Sequence, residues 1–118
     1  MSITRISPGP RMSRAVVHGD TVYLSGHVSA DRSLGVRGQT QAILERIDHV
    51  LAEAKTDKSK LLLVQVWLAD ISTFEEMNEV YDAWVDGAHP PARAAVEAKL
   101  ASPDYLVEIA AIAAVKGK

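Results

Sequence analysis

Two runs near the N-terminus, Ala15-Val16-Val17-His18 and Thr21-Val22-Tyr23-Leu24-Ser25, are rich in β-branched and aromatic residues and are split by Gly19-Asp20. Glycine tolerates the positive φ of a two-residue turn, so the pattern predicts a β-hairpin. The earlier run Ile3-Thr4-Arg5-Ile6 stops before Pro8-Gly9-Pro10 and predicts a further edge strand cut off by proline. Polar residues and two glycines between Ser29 and Gly38 predict a loop. From about Gln39 to Ala54 the apolar residues Ile43, Ile47, Val50 and Ala54 recur at helical spacing, and Leu44 and Leu51 widen the stripe.

A polar turn, Lys55 to Lys60, leads into Leu61-Leu62-Leu63-Val64-Gln65-Val66-Trp67-Leu68, a run expected to be a strand buried on both faces. A second amphipathic helix follows, with Met77, Val80, Tyr81 and Trp84 on its apolar face and Gly87 as its stop. Ser72 or Thr73 is its expected cap, and Glu75 or Glu76 is expected to complete a capping box. After His89-Pro90-Pro91, Ala92 to Glu97 reads as a short strand and Leu106 to Val115 as a central one. The order β-β-α-β-α-β-β, with nothing repeating internally, predicts one α+β domain over residues 1–118 in which two helices cover a sheet.

Composition narrows the function. With 13 Lys and Arg against 15 Asp and Glu the formal net charge is -2, and the basic residues are scattered, which disfavours nucleic acid as a partner. There is no cysteine, so disulfides, thiolate metal sites and a cysteine nucleophile are excluded. No apolar run has signal-peptide or membrane-span length, so a soluble, cytoplasmic protein is expected. His18, His27, His49 and His89 lack metal-ligand spacing, and no metal site is expected. His49, four residues after Glu45, is expected to form a solvated pair with it. His27 follows Ser25-Gly26 at a strand end, where a pocket is conceivable. Ser25 lacks a nucleophile-elbow context, and Gly35-Val36-Arg37-Gly38 lacks the pattern of a phosphate cradle.

Two charges stand in apolar surroundings: Arg93 in Pro90-Pro91-Ala92-Arg93-Ala94-Ala95-Val96 and Glu108 in Leu106-Val107-Glu108-Ile109-Ala110. A buried charge needs a partner or a ligand. One reading makes them a structural or subunit-interface ion pair. The other makes Arg93 a planar fork that grips a substrate carboxylate while Glu108 handles a water. The residues alone leave both open.

Pro91-Ala92-Arg93-Ala94-Ala95-Val96-Glu97 followed by Val107-Glu108-Ile109-Ala110-Ala111-Ile112-Ala113 resembles the signature of the Rid (YjgF/UK114) family. Val22 to His27, Ile47 to Leu51, and Val66 to Asp70 leading to Met77 to Tyr81 agree in order and spacing, and the pattern is most similar to the short YoaB-like branch. The resemblance implies a chorismate-mutase-like domain, a homotrimeric barrel with clefts between subunits, and cofactor-independent hydrolysis of enamines or imines to keto acids and ammonia. It further implies that Arg93 anchors a small carboxylate substrate, that Glu108 serves the attacking water, and that Ser25 and Asn78 line the cleft. Met12 stands where the family often has a tyrosine, and Ala95 replaces its pocket cysteine, leaving only a backbone contribution there. Two other readings compete: a trimer that binds a small carboxylate or a protein without turnover, and an endoribonuclease or translation inhibitor, which the charge balance disfavours.

Overall fold

The computed structural model describes residues 2–117, so of the expected 1–118 domain Met1 and Lys118 lie outside the described residues. The predicted hairpin is present as β2 (Ala15–His18) and β3 (Thr21–Leu24), and Gly19 takes φ 64° at its turn, the left-handed region that glycine enters without penalty. The first run forms β1 (Ile3–Ile6), antiparallel to β2 at one sheet edge. Helix α1 spans Val36–Glu53, β4 Leu61–Leu68, α2 Phe74–Trp84, β5 Ala92–Glu97 and β6 Val107–Ala114. The sheet order is β1-β2-β3-β6-β4-β5, so the C-terminal strand is central, as its apolar content predicts. All pairs are antiparallel except β4 with β5, whose parallel alignment requires the α2 crossover between them.

Both helices lie on one face of the sheet. Ile43, Leu44, Ile47, Val50 and Leu51 of α1 and Met77 and Tyr81 of α2 meet Val22, Val64, Val66, Ile109 and Ala111 from the strands. Truncating such a fully buried Leu or Ile to alanine costs about 2–5 kcal/mol.

Gln39, wholly buried, donates from Nε2 to the carbonyls of Leu34 and Asp104 (both 3.0 Å) and accepts at Oε1 from the Leu106 N–H (2.9 Å). These bonds tie the loop before β6 to the start of α1, which fixes where β6, and so Glu108, enters the sheet. Among the described residues no helix is long and apolar enough to cross a membrane.

Several local expectations are corrected. Helix α1 starts three residues before Gln39, so Gly38 lies inside its first turn, at a place where a side chain would press on Leu34. The capping box at α2 does not form. A 3-10 turn, Ile71–Thr73, precedes the helix, capped by Asp70, which accepts from the Ser72 N–H at 2.9 Å. Helix α2 ends at Trp84, before Gly87. Glu45 accepts from Gln41 Nε2 (3.1 Å), the other neighbour one helical turn away, rather than pairing with His49.

Strand β4 is buried on one face only in the single chain: Leu61, Val64, Val66 and Leu68 enter the core, while Gln65 is exposed and Leu63 and Trp67 are half-covered. The face opposite the helices also carries Tyr23, 46% exposed, and Ile112, its register partner. An apolar sheet face of this kind lacks a covering layer within one chain.

Candidate functional site

Arg93 is the second residue of β5, an edge strand, and its register partner is Val64, a core residue, so its side chain rises on the helix side. There Nη1 donates to Asn78 Oδ1 at 2.7 Å. The guanidinium carbon lies 4.7 Å from the Tyr81 ring centroid and 5.6 Å from that of Phe74. Phe74, Asn78 and Tyr81 are spaced i, i+4, i+7 and therefore share one face of α2. Two aromatic rings and one amide hold the guanidinium while using one of its five N–H donors on Asn78, and no carboxylate pairs with it among the described residues. Burial pushes the Tyr81 phenol up, and the Arg93 charge pulls against it. Ala95, two residues on, points to the same side and packs against the core.

Glu108 is on the other face. Its neighbours Val107 and Ile109 are buried under the helices, and strand alternation turns Glu108 outward beside its register partner Trp67. Its carboxylate lies against the backbone of Gly26, where a methyl group would overlap Oε2. The segment after β3 is held in place by hydrogen bonds from the His27 N–H to the Ile109 carbonyl (2.8 Å) and from the Ile109 N–H to the His27 carbonyl (3.0 Å).

Ser25 donates its N–H to the Arg14 carbonyl (2.9 Å), and its own carbonyl accepts from His27 Nδ1 at 2.8 Å. The His27 ring is 6% exposed, and burial chiefly lowers its pKa, helped by Arg46 and Arg14 and opposed by the Ser25 carbonyl. Met12 is 56% exposed in the β1–β2 loop, two residues before the Arg14 that holds Ser25.

The sequence candidates thus fall into two groups. Arg93, Asn78 and Ala95 gather beneath α2, while Ser25 and Glu108 gather about Gly26 with the Met12 loop beside Ser25. Arg93 and Glu108 do not pair within one chain, which removes the intramolecular ion-pair reading. Phe74, Tyr81 and Gly26 join the candidate site only through the fold. Tyr81 reads in sequence as an apolar-face residue, and only its helical spacing from Asn78 hints that the two share a target.

Glu97, within the signature segment, has a structural use: its Oε1 accepts from the Ile71 N–H at 3.0 Å. Among the described residues no cluster of three His, Cys, Asp or Glu is placed to hold a metal. His18 and His49 are exposed, and His89 is paired with Asp86 (3.1 Å).

The fold recurs in known proteins. A family model described as endoribonuclease L-PSP matches residues 2–115. A RutC family protein from Haemophilus ducreyi is 42% identical over 113 residues, covering 96% of this chain and 97% of the relative. The RutC family protein YoaB of Escherichia coli is 40% identical over 115 residues, covering 98% and 100%. Among solved structures, a YjgF family member from Neisseria meningitidis superposes with a TM-score of 0.95 at 39% identity, covering 100% of this chain and 98% of that one. A YjgF/YER057c/UK114 family member from Mycobacterium tuberculosis gives 0.88 at 30% identity, covering 97% and 100%. These matches define the class, a six-stranded mixed sheet with two helices on one face, and the chain belongs to the Rid (YjgF) family. The resemblance to the YoaB-like branch is matched by the full-length similarity to YoaB itself.

Proposed function

We propose that the chain is a cofactor-independent deaminase that hydrolyses amino-acid-derived enamines and imines of the 2-aminoacrylate type to 2-keto acids and ammonia. It acts in the cytosol as a homotrimer with its sites between subunits. The observation that carries this reading is the state of Arg93: a guanidinium fixed by Asn78, Tyr81 and Phe74, with donors to spare and no carboxylate partner among the described residues. A preorganised fork of this kind suits a small carboxylate ligand. Glu108 faces the opposite side of the sheet, so it meets a carboxylate held by Arg93 only when a second copy brings its Glu108 face to the Arg93 edge. The apolar face around Tyr23 and Ile112 suits that packing.

The chemistry asks little of the protein. A 2-aminoacrylate takes a proton on its methylene carbon to become an iminium, whose carbon is already electrophilic. Water attacks that carbon as Glu108 accepts its proton, which yields a carbinolamine. The same proton then passes to the amine nitrogen, the C–N bond breaks, the carbonyl forms as the hydroxyl proton leaves, and ammonia departs. Positioning supplies most of the acceleration.

A second reading, a trimer that binds a small carboxylate without turnover, is favoured by Ala95, which offers no polar side chain beside Arg93. Endoribonuclease activity is disfavoured by the net charge and by the engagement of Arg37 with Glu76 and Glu79.

The test is keto-acid release from an enamine generated in situ by an amino-acid oxidase or a pyridoxal-dependent lyase. Acceleration by the wild type that is lost in Arg93→Ala supports the deaminase. Saturable carboxylate binding without acceleration sinks it in favour of the binding role.

A further inference from the structure

His27 stands apart from the residues so far given a chemical role. Its ring is almost fully buried, its Nδ1 lies 2.8 Å from the Ser25 carbonyl oxygen, and its Nε2 is buried with no hydrogen-bond partner among the described residues. A carbonyl oxygen can only accept, so the proton of the ring must sit on Nδ1 and Nε2 must carry a lone pair. Protonation at Nε2 would create a second donor in a buried place without an acceptor, and burial together with the charges of Arg46 and Arg14 opposes it. The ring is therefore held in one neutral tautomer.

The position of that bond matters because of what lies between its ends. Ser25 and His27 flank Gly26, and Gly26 is the surface on which the Glu108 carboxylate rests. The His27 backbone is locked to Ile109, the residue after Glu108, by two hydrogen bonds. The imidazole closes the remaining side of this frame by fastening the Ser25 carbonyl.

We propose that His27 is a positioning residue: through Nδ1–H it pins the extended Ser25-Gly26 segment so that Gly26 seats the Glu108 carboxylate that serves the attacking water. The catalytic part of this assignment rests on the deaminase reading, while the pinning itself does not. The role is specific to a donor placed one atom beyond Cγ. Asparagine carries its amide N–H at a comparable place, whereas phenylalanine fills the same volume with no donor.

The experiment has two arms. In the first, long-range proton–nitrogen NMR of the wild type reads the His27 tautomer. An Nδ1–H pattern is expected, although the Nε2–H form prevails for histidine in water, and an Nε2–H pattern overturns the proposal whatever the enzyme does.

In the second arm, His27→Phe and His27→Asn are compared with the wild type for steady-state kinetics and for hydrogen-exchange protection of the residue 27 amide. We expect His27→Phe to lower kcat about 10-fold or more with KM changed less than about 3-fold, because Arg93, on the edge strand β5 beyond β6 and β4, is untouched. Protection is expected to fall in His27→Phe, and His27→Asn is expected to recover most of both. Equal kcat and equal protection in His27→Phe and the wild type overturn the proposal. Should the wild type show no enamine hydrolysis, the deaminase reading has failed, and the tautomer and exchange measurements still decide whether His27 pins the Ser25-Gly26 segment. Should His27→Phe fail to fold, the wild-type tautomer decides it: Nδ1–H supports the pin and Nε2–H overturns it.

Discussion

Arg93 and Glu108 lie on opposite faces of the same sheet, three residue levels apart. Val64 aligns with Arg93 and Ala111, whereas Trp67 aligns with Val96 and Glu108. At the strand rise this is an offset of about 10 Å along the sheet, added to the separation of the two faces. Within one chain the two side chains are therefore held apart, and the proposed function requires them to meet between copies.

That geometry predicts intersubunit complementation. Arg93→Ala and Glu108→Gln are each expected to be inactive. Unfolded together in equal amounts and refolded, they should recover about a quarter of wild-type activity, the fraction of interfaces that pair an intact Arg93 with an intact Glu108 in a closed ring. No recovery in refolded trimers would place both residues of a site in one chain.

The open sheet face should govern assembly. Ile112→Glu, which places a charge opposite Tyr23 on that face, is expected to yield monomers by light scattering and to lose deaminase activity. A trimer of unchanged mass would show that subunits meet elsewhere.

Tyr81 should act through Arg93. Its ring is 4.7 Å from the guanidinium carbon, and cation–π contacts contribute about 0.5–2 kcal/mol, so Tyr81→Leu is expected to raise KM by about 2- to 30-fold. Tyr81→Phe keeps a ring face and should stay near the wild-type KM. Thermal melts of both variants separate this effect from lost packing, since Tyr81 is also buried.

Gly26 tests the seat of Glu108. In Gly26→Ala the new methyl overlaps the carboxylate, so the carboxylate must move. We expect kcat to drop about 10-fold or more while the melting temperature changes little, because the clash is with the far end of a side chain. Unchanged kcat would mean that the carboxylate does not work from this position.

His27 also makes stability depend on pH. Burial lowers its pKa below 6.5, so between the folded and unfolded values the unfolded chain binds the extra proton. Its contribution to stability is present above pH 6.5 and is lost as pH falls through that value toward the lowered folded one. Denaturant midpoints measured from pH 8 to 5 should decline in the wild type, and the part of the decline that begins near 6.5 should be absent in His27→Asn. Identical profiles would assign the decline to other groups.

Much of this molecule is determined by local pattern. The β2–β3 hairpin, the apolar stripe of α1 and the strands β4 to β6 follow from periods of 2 and 3.6 and from one turn glycine, because secondary structure answers to side chains a few residues apart. Arg93 and Glu108 were visible for the same reason: a charge amid apolar neighbours demands an explanation without reference to distant parts of the chain. Gly38 reads locally as loop, yet the Gln39 N–H already bonds the Gly35 carbonyl and Leu34 crowds the place of its side chain, and the capping box is absent because Asp70 reaches the orphan N–H of a 3-10 turn first.

Only the tertiary structure decided which sheet face each charge occupies, since one face is defined solely by the helices that cover it. The same packing brought Phe74, Asn78 and Tyr81 round Arg93, laid Glu108 on Gly26 and buried the ring of His27. These are relations between segments up to about 80 residues apart in the chain, set by strand order and register, which no local periodicity encodes.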